Sequence, residues 1–274
     1  MMRTPRERRS TPLVLAAALI ATIAAGLVTA GAPARGDGLP PTKKKGVLTV
    51  AIELGNPGFA EGALSNPRGF STDVARAVAK RMGLKIQFVD YPFARLFVPG
   101  PKPYDFALEF ATITPARARL VDFSTPEIAS SLGVLVAKDI TGPVTLARLR
   151  KLQVCVKEFT TGFAYVQDVL QPEGLVLEYS TAAAALKALS TSICDAFVFD
   201  LPVLIVARRE APDRYGAIGG RVGPIEHYGG LLPKGSPLLP AVNKAIKSLV
   251  RDGTMKKVAA RNFGSALTST PVIR

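Results

Sequence analysis

The sequence contains 274 residues, 48% of them hydrophobic, and carries a formal net charge of +14. This length is sufficient for one large core or two smaller ones. The basic residues are scattered, and they lack the interleaved aromatic side chains that single-stranded nucleic acids require, so we expect no nucleic-acid partner. With one histidine, two cysteines and no phosphate-binding Gly-rich loop, we expect neither a metal nor a cofactor.

The N-terminal residues 1–34 have the pattern of a signal peptide. Four arginines among the first nine residues precede an apolar run at 13–28, and small residues at 28–30 and 32–34 are candidate cleavage sites. The apolar run is near the lower length limit for a membrane span, so an uncleaved anchor is the alternative. In either case the rest of the chain is expected to lie outside the cytoplasmic membrane. Residues 35–45, rich in Pro, Gly and Lys, are predicted to be a linker.

The first half of the chain alternates between predicted strands and helices. The pattern predicts strands at 47–54, 85–89, 106–111 and 133–137, and a helix at 72–82 that ends at Gly83. After the third strand, Thr114 is a good N-cap and Pro115 suits the first helical position. Arg117 then falls in the first turn, where its guanidinium could bind a carboxylate. Alternatively, Thr114 only caps the helix and Arg117 is solvated.

The pattern then restarts in the second half. It predicts a helical turn at 146–149, strands at 152–156, 175–179 and 195–199, and helices at 160–170, 181–190 and 202–210. Two helices, one ending at Gly253 and one at 254–262, complete the chain. Residues 223–230 are predicted to be a connection, and His227 within them is not predicted to be catalytic. The repeated alternation predicts two α/β lobes, each a mainly parallel sheet with helices on both faces.

The two cysteines, Cys155 and Cys194, are each predicted to open a strand of the second lobe. If those strands are neighbours, the thiols can form a disulfide, which an oxidising compartment favours. The alternative is two buried, reduced thiols.

The order of motifs resembles the family 3 extracellular solute-binding proteins, the amino-acid receptors of ABC importers. The resemblance is carried by Tyr104-Asp105, by Thr112-Ile-Thr-Pro-Ala-Arg117 with Val121-Asp-Phe-Ser124, and by Asp195-Ala-Phe-Val-Phe-Asp200. A C-terminal set, Leu232-Pro-Lys-Gly-Ser-Pro-Leu238, Val242-Asn243 and Asp252-Gly-Thr254, adds to it. The resemblance implies a two-lobed periplasmic binding protein fold of type II with a hinge of two crossovers. Residues 46–137 plus 229–264 would form the first lobe, 138–228 the second, and 265–274 a C-terminal tail.

The resemblance also implies a binding site for a small zwitterion. Arg117 and Thr112 would hold the ligand α-carboxylate, Thr160 and Thr161 would add donors from the second lobe, and Asp200 would pair with the α-ammonium. Capping is the alternative role of Asp200, and it is compatible with ligand binding for the two threonines. Because one charged anchor comes from each lobe, ligand would favour the closed state.

Several residues depart from the family pattern and leave the ligand open. Phe110 and Phe159 stand where the family often has small residues, so they would narrow the pocket or offer stacking faces. Glu53 lies where an acidic residue can contact a cationic ligand side chain; alternatively, it is an ordinary carboxylate at a strand end. Glu127 replaces a usual tyrosine.

The main prediction is therefore a monomeric, non-enzymatic periplasmic protein that delivers a small zwitterion or carboxylate to the permease of an ABC importer. Two alternatives remain. One is a periplasmic sensor or accessory binding protein. The other is an enzyme resembling the cyclohexadienyl dehydratases, for which Glu53, Glu109 or Glu173 would have to supply the general acid.

Overall fold

The computed structural model describes residues 39–264 and 269–274, so the predicted signal peptide lies outside the described residues. Among the described residues, no helix has the length and apolar character that a bilayer span requires. The strands are β1 Val47–Ile52, β2 Lys85–Asp90, β3 Phe106–Thr112, β4 Val121–Phe123, β5 Ile128–Ala137, β6 Val154–Lys157, β7 Leu177–Tyr179, β8 Ala196–Asp200 and β9 Tyr215–Pro233. The helices are α1 Phe70–Arg81, α2 Pro115–Ala118, α3 Leu146–Leu149, α4 Thr161–Tyr165, α5 Ala182–Ser190, α6 Leu201–Glu210, α7 Leu239–Arg251 and α8 Thr254–Phe263.

The strands form one continuous mixed sheet in the order β2-β1-β3-β9-β5-β8-β6-β7, with β4 added to β9. Pairing is parallel at both ends, among β1, β2 and β3 and among β6, β7 and β8. In the middle, β9 and β5 run antiparallel to each other and to their outer neighbours. The fold is two-lobed: the parallel strands form the two ends of the sheet, and the β5–β9 ribbon joins them.

The helices pack against the sheet through their apolar faces. In α7, Val242, Ile246 and Leu249 are buried at helical spacing, in one core cluster with Val74 and Val78 of α1. The chain therefore returns to the first end of the sheet after visiting the second. A separate cluster at the second end contains side chains of β5, β6 and β8, including Val134, Val156 and Val198. The two sets of alternating strands and helices in the sequence thus correspond to the two ends of the sheet.

Strand β9, which runs from Tyr215 to Pro233, corrects the prediction that residues 223–230 form a connection. Six glycines within it weaken the strand signal in the sequence. Two of them are required by packing rather than by a turn. A Cβ on Gly216 would lie 2.4 Å from the carbonyl oxygen of Ala137, and one on Gly230 would lie 2.2 Å from the ring of Phe106. His227 accordingly lies in a strand, paired with Ala129 of β5, and not in a loop.

The C-terminal residues 271–274 pack against the second end of the sheet. The N–H of Arg221 donates to the carbonyl of Pro271 at 2.8 Å, and the N–H of Ile273 donates to the carbonyl of Arg221 at 2.9 Å. Ile273 is buried in the second core cluster. This segment covers an edge of β9 that would otherwise expose backbone donors and acceptors.

The two cysteines form a disulfide between Cys155 in β6 and Cys194 just before β8. Parallel pairing of Cys155 with Phe197 brings β6 and β8 side by side. The Cα atoms of Cys155 and Cys194 lie 5.9 Å apart. Of the two alternatives that the sequence left open, the structure has the disulfide.

Candidate ligand-binding site

Six of the eight predicted ligand-binding residues line one small pocket between the two ends of the sheet. They are Phe110, Thr112, Arg117, Thr160, Thr161 and Asp200, and the wall is completed by Phe93, Lys157 and Phe199. The free space among these side chains is about 10 Å³, which is roughly enough for one water molecule. The pocket is therefore closed in this structure and must widen to admit an amino acid.

Arg117 is positioned by the corner that the sequence predicted. Thr114 is the N-cap of α2, its hydroxyl accepts the N–H of Arg117 at 3.2 Å, and Pro115 opens the helix. Since α2 is a single turn, the guanidinium and not the helix end is the candidate group for binding an anion. It donates to the carbonyl oxygens of Thr112 and Phe159, each at 3.0 Å. The second bond links the first end of the sheet to the second.

The environment of Arg117 combines burial with aromatic contact. Its guanidinium carbon lies 5.2 Å from the ring centre of Phe93 and 5.0 Å from that of Phe97. Burial lowers the pKa of Arg117, and the carboxyl groups of Asp200 and Glu226 raise it. Among the described residues, no carboxylate oxygen lies within ion-pair distance of the guanidinium. Its charge is thus available to an anion.

Two threonine hydroxyls from opposite sides of the pocket meet on one carboxylate. Thr112 Oγ1 donates to Glu226 Oε2 at 2.9 Å, and Thr161 Oγ1 donates to the same oxygen at 3.1 Å. Burial raises the pKa of Glu226, and these two hydroxyls and Arg117 oppose that rise. We call the two hydroxyls and the guanidinium of Arg117 the anion subsite.

Asp200 ends β8 and occupies the N-cap position of α6, but its side chain makes no capping bond. The structure therefore does not support capping as the role of this carboxylate. Its Oδ1 instead accepts a hydrogen bond from the Tyr228 hydroxyl at 2.6 Å. Burial, followed by the nearby charge of Glu226, raises the pKa of Asp200 to about 7.

Glu53 does not line the pocket but lies behind Lys157. Its carboxylate forms a buried ion pair with Lys157 and accepts the backbone N–H of Phe93 at 3.0 Å and the Asn56 amide at 3.2 Å. The Lys157 ammonium also lies 5.0 Å from the ring centre of Phe93. In this structure Glu53 therefore pairs with a cation of the chain itself. Contact of Glu53 with a cationic ligand side chain stays a prediction.

Glu109 and Glu173, the other two proposed general acids, differ in burial. Glu109 is fully buried behind the pocket, and neither of its carboxyl oxygens has a hydrogen-bond partner among the described residues. Burial and the neighbouring Glu53 raise its pKa well above the usual range. Glu173 is exposed and does not line the pocket.

Phe110 and Phe159 both adopt a left-handed backbone, with φ of 42° and 63°. Phe110 is buried, with its ring centre 4.2 Å from that of Phe59 and 6.1 Å from that of Phe199. The Phe159 side chain is exposed and does not line the pocket, and only its carbonyl reaches Arg117. Thr160 lines the pocket, but its hydroxyl donates to the Lys157 carbonyl and caps α4 through the N–H of Phe163.

Five residues near the site were not predicted from the sequence: Phe93, Lys157, Phe199, Glu226 and Tyr228. Two of them lie on the unpredicted strand β9, where the i, i+2 spacing of Glu226 and Tyr228 puts both on one face. Phe93 lies in a short 3₁₀ turn, Phe93–Phe97, that has no periodic signal.

Residues 48–265 match the model of a protein family, the bacterial extracellular solute-binding proteins, family 3. The chain belongs to this family. The solute-binding protein is also 28% identical over 209 residues to ABC transporter arginine-binding protein 1 of Escherichia coli (strain K12), covering 74% of this chain and 84% of that one.

Two solved structures resemble the solute-binding protein throughout its fold. An ancestral arginine-binding protein bound to glutamine is 28% identical, with a TM-score of 0.71 over 81% of this chain and all of the other. The ancestral amino acid-binding protein AncCDT-1, described as a precursor of cyclohexadienyl dehydratase, is also 28% identical, with a TM-score of 0.70 over 80% of this chain and 95% of the other.

Proposed function

We propose that this protein captures a small zwitterionic or carboxylate ligand, of the size and charge pattern of an amino acid, for the permease of an ABC importer. The related proteins described above bind amino acids, and their names include an ABC transporter component. The predicted signal peptide and the extracellular family support a periplasmic location. For the lobes we propose the predicted division, residues 46–137 plus 229–264 and residues 138–228, and we propose a monomer.

The observation that carries this proposal is the arrangement of two opposite charges in one pocket. Within the described part of the chain, Arg117 enters from the first end of the sheet without a carboxylate partner, and Asp200 enters from the second end without a capping bond. A zwitterion satisfies both, because its carboxylate suits a guanidinium and its ammonium suits a carboxylate. Each charge comes from a different end of the sheet, so binding favours closure through contacts that the open form cannot make.

The test is a thermal-shift screen with each of the twenty L-amino acids, extended to polyamines and small organic acids. At a hundredfold excess over Kd, binding stabilises the folded state by about 2.7 kcal/mol, which raises Tm by about 5 °C or more. Arg117→Ala should abolish the shift. Arg119→Ala removes an exposed arginine from the end of the same helix and should retain it. A shift that survives in Arg117→Ala would remove Arg117 from the site.

We propose binding without turnover. An enzyme resembling cyclohexadienyl dehydratase needs a general acid beside the leaving hydroxyl. Of the three glutamates considered, Glu53 is paired with Lys157, Glu109 is buried behind the pocket wall and Glu173 is exposed. Incubation with prephenate should therefore yield no phenylpyruvate, and catalytic formation of that product would favour the enzyme.

A further inference from the structure

The anion subsite contains a carboxylate that belongs to the chain itself. Glu226 is 7% exposed, and one of its oxygens accepts both hydroxyls of the subsite, from Thr112 and Thr161. The two hydroxyl oxygens lie 3.5 Å apart, so a single carboxylate oxygen can bridge them. The family resemblance assigns these two hydroxyls, with Arg117, to the ligand.

Strand β9 directs this side chain towards Thr112 and Thr161, two residues that line the pocket. The backbone pairs Tyr228 with Thr112 of β3 and Glu226 with Ser130 of β5. Because alternate residues of a strand share a face, Glu226 and Tyr228 point the same way, and Tyr228 reaches Asp200. The strand register also shifts between Ser131 and Leu132, opposite Ile225 and Val222, and such irregularities often re-aim side chains beside functional sites.

We propose that Glu226 is an internal competitor for ligand carboxylates: in the ligand-free protein it holds the two hydroxyls of the anion subsite, but not the Arg117 guanidinium, and links Thr112 to Thr161. This inference rests on the proposed function, since it takes the same subsite to be the place of the ligand carboxylate. A ligand carboxylate and Glu226 cannot share the two hydroxyls, and two like charges in one buried site repel each other. Binding therefore requires the Glu226 side chain to leave the subsite.

The consequence is a reduced apparent affinity. When the binding-competent state is only a fraction of the population, the apparent Kd is the intrinsic Kd divided by that fraction. If Glu226 holds the subsite for about 90–99% of the time, its removal tightens amino-acid binding by about tenfold to a hundredfold. The same contacts keep the pocket closed, with about 10 Å³ of free space.

The decisive experiment uses acetate, which has a carboxylate but no ammonium group and therefore tests the anion subsite without Asp200. In Glu226→Ala the subsite is open, so sodium acetate should raise Tm by about 3 °C or more at tenfold excess over its Kd, and sodium chloride at equal ionic strength should not. At the same acetate concentration, the wild-type protein and Glu178→Ala, which removes an exposed carboxylate of β7, should shift by no more than about 1–2 °C, because the apparent Kd is at least tenfold higher. If Glu226→Ala does not fold, Glu226→Ser replaces it in the same titration.

The absence of an acetate-specific shift in a folded Glu226 variant would overturn the inference. The amino-acid screen on the wild-type protein is read separately and decides the proposed function. If an amino acid binds the wild type, its Kd for Glu226→Ala, which removes the acceptor of both hydroxyls, should be at least tenfold lower, and an equal or higher Kd would also overturn the inference. Acetate stabilisation without amino-acid binding by the wild type or either variant would support the internal competitor and refute the proposed function.

Discussion

The Lys157 ammonium and the Glu53 carboxylate form an ion pair that joins β6 at the second end of the sheet to the residue that follows β1 at the first end. Their side chains are only 2% and 11% exposed. Two hydrogen bonds, from Phe93 N–H and the Asn56 amide, occupy further lone pairs of the carboxylate. The pair is therefore a structural link across the pocket wall, held by both ends of the sheet.

The first prediction concerns removal of one partner of this pair. Lys157→Ala leaves the Glu53 carboxylate buried and uncompensated, so we expect the free energy of unfolding to fall by about 3–5 kcal/mol in urea titrations. Lys157→Met combined with Glu53→Gln should cost less than the single change, since it leaves no unpaired charge. Lys234→Ala serves as the control: the Lys234 side chain is 56% exposed in its ion pair with Asp122, and its loss should cost about 1 kcal/mol or less. Equal losses at both lysines would contradict the argument.

The second prediction is a pH dependence centred on Asp200. Burial and Glu226 raise its folded-state pKa to about 7, above the ordinary aspartate value near 4. Between these two pH values the unfolded chain releases a proton that the folded chain retains, so stability falls as pH rises and the loss is complete above about pH 7. Asp200→Asn lacks this titration. The free energy of unfolding of the wild type, relative to the variant, should thus fall by on the order of 4 kcal/mol between pH 4 and 8.

Denaturant titrations of both proteins at several pH values test this prediction. A difference in stability that stays constant from pH 4 to 8 would show that Asp200 titrates alike in the folded and unfolded chains. The same protonation should affect the ligand, because an ammonium pairs only with the ionised carboxylate. Amino-acid affinity should therefore increase by up to about tenfold per pH unit as pH rises towards 7.

Local chemistry explains which parts of the site could be predicted. The corner from Thr112 to Arg117 depends on an N-cap and a proline that act within one helical turn, so the sequence alone indicates it. The family resemblance supplied Asp200 and the two threonines of the second half. By contrast, the closed pocket depends on contacts between distant residues, such as Glu226 with Thr112. No spacing in the sequence indicates that pair, because it depends on how β9 pairs with β3.

Strand β9 shows why the rest could not be predicted. Its glycines are required where Gly216 and Gly230 approach Ala137 and Phe106 closely, and in the sequence they look like a flexible connection. Because this strand was not predicted, neither Glu226 and Tyr228 nor the antiparallel centre of the sheet was predicted. The cysteine pairing was left open for the same reason: neighbouring strands within a sheet are a tertiary property.

The third prediction concerns the disulfide between Cys155 and Cys194, which closes a loop with a sequence separation of 39. In the chain-entropy model a loop of this size stabilises the folded state by about 4 kcal/mol, and measured values are often lower. We expect reduction to lower Tm by about 5–15 °C. The Cys155→Ala/Cys194→Ala variant should melt at the lower temperature regardless of reductant. A thiol reagent should label the unfolded wild type only after reduction, and labelling before reduction would contradict the pairing.

The last prediction compares Phe110 and Phe159, which share a left-handed backbone but differ in burial. A non-glycine residue in this conformation costs about 1–2 kcal/mol, which glycine avoids. The Phe159 ring is 61% exposed, so Phe159→Gly loses little packing and should raise the free energy of unfolding by about 0.5–1 kcal/mol. Phe110→Gly also relieves the backbone, but it removes a buried ring packed on Phe59 and Phe199. We expect a net loss of about 2–4 kcal/mol in urea titrations. A loss of stability in Phe159→Gly would contradict the prediction. It would mean that relief of the Phe159 backbone does not stabilise the folded state.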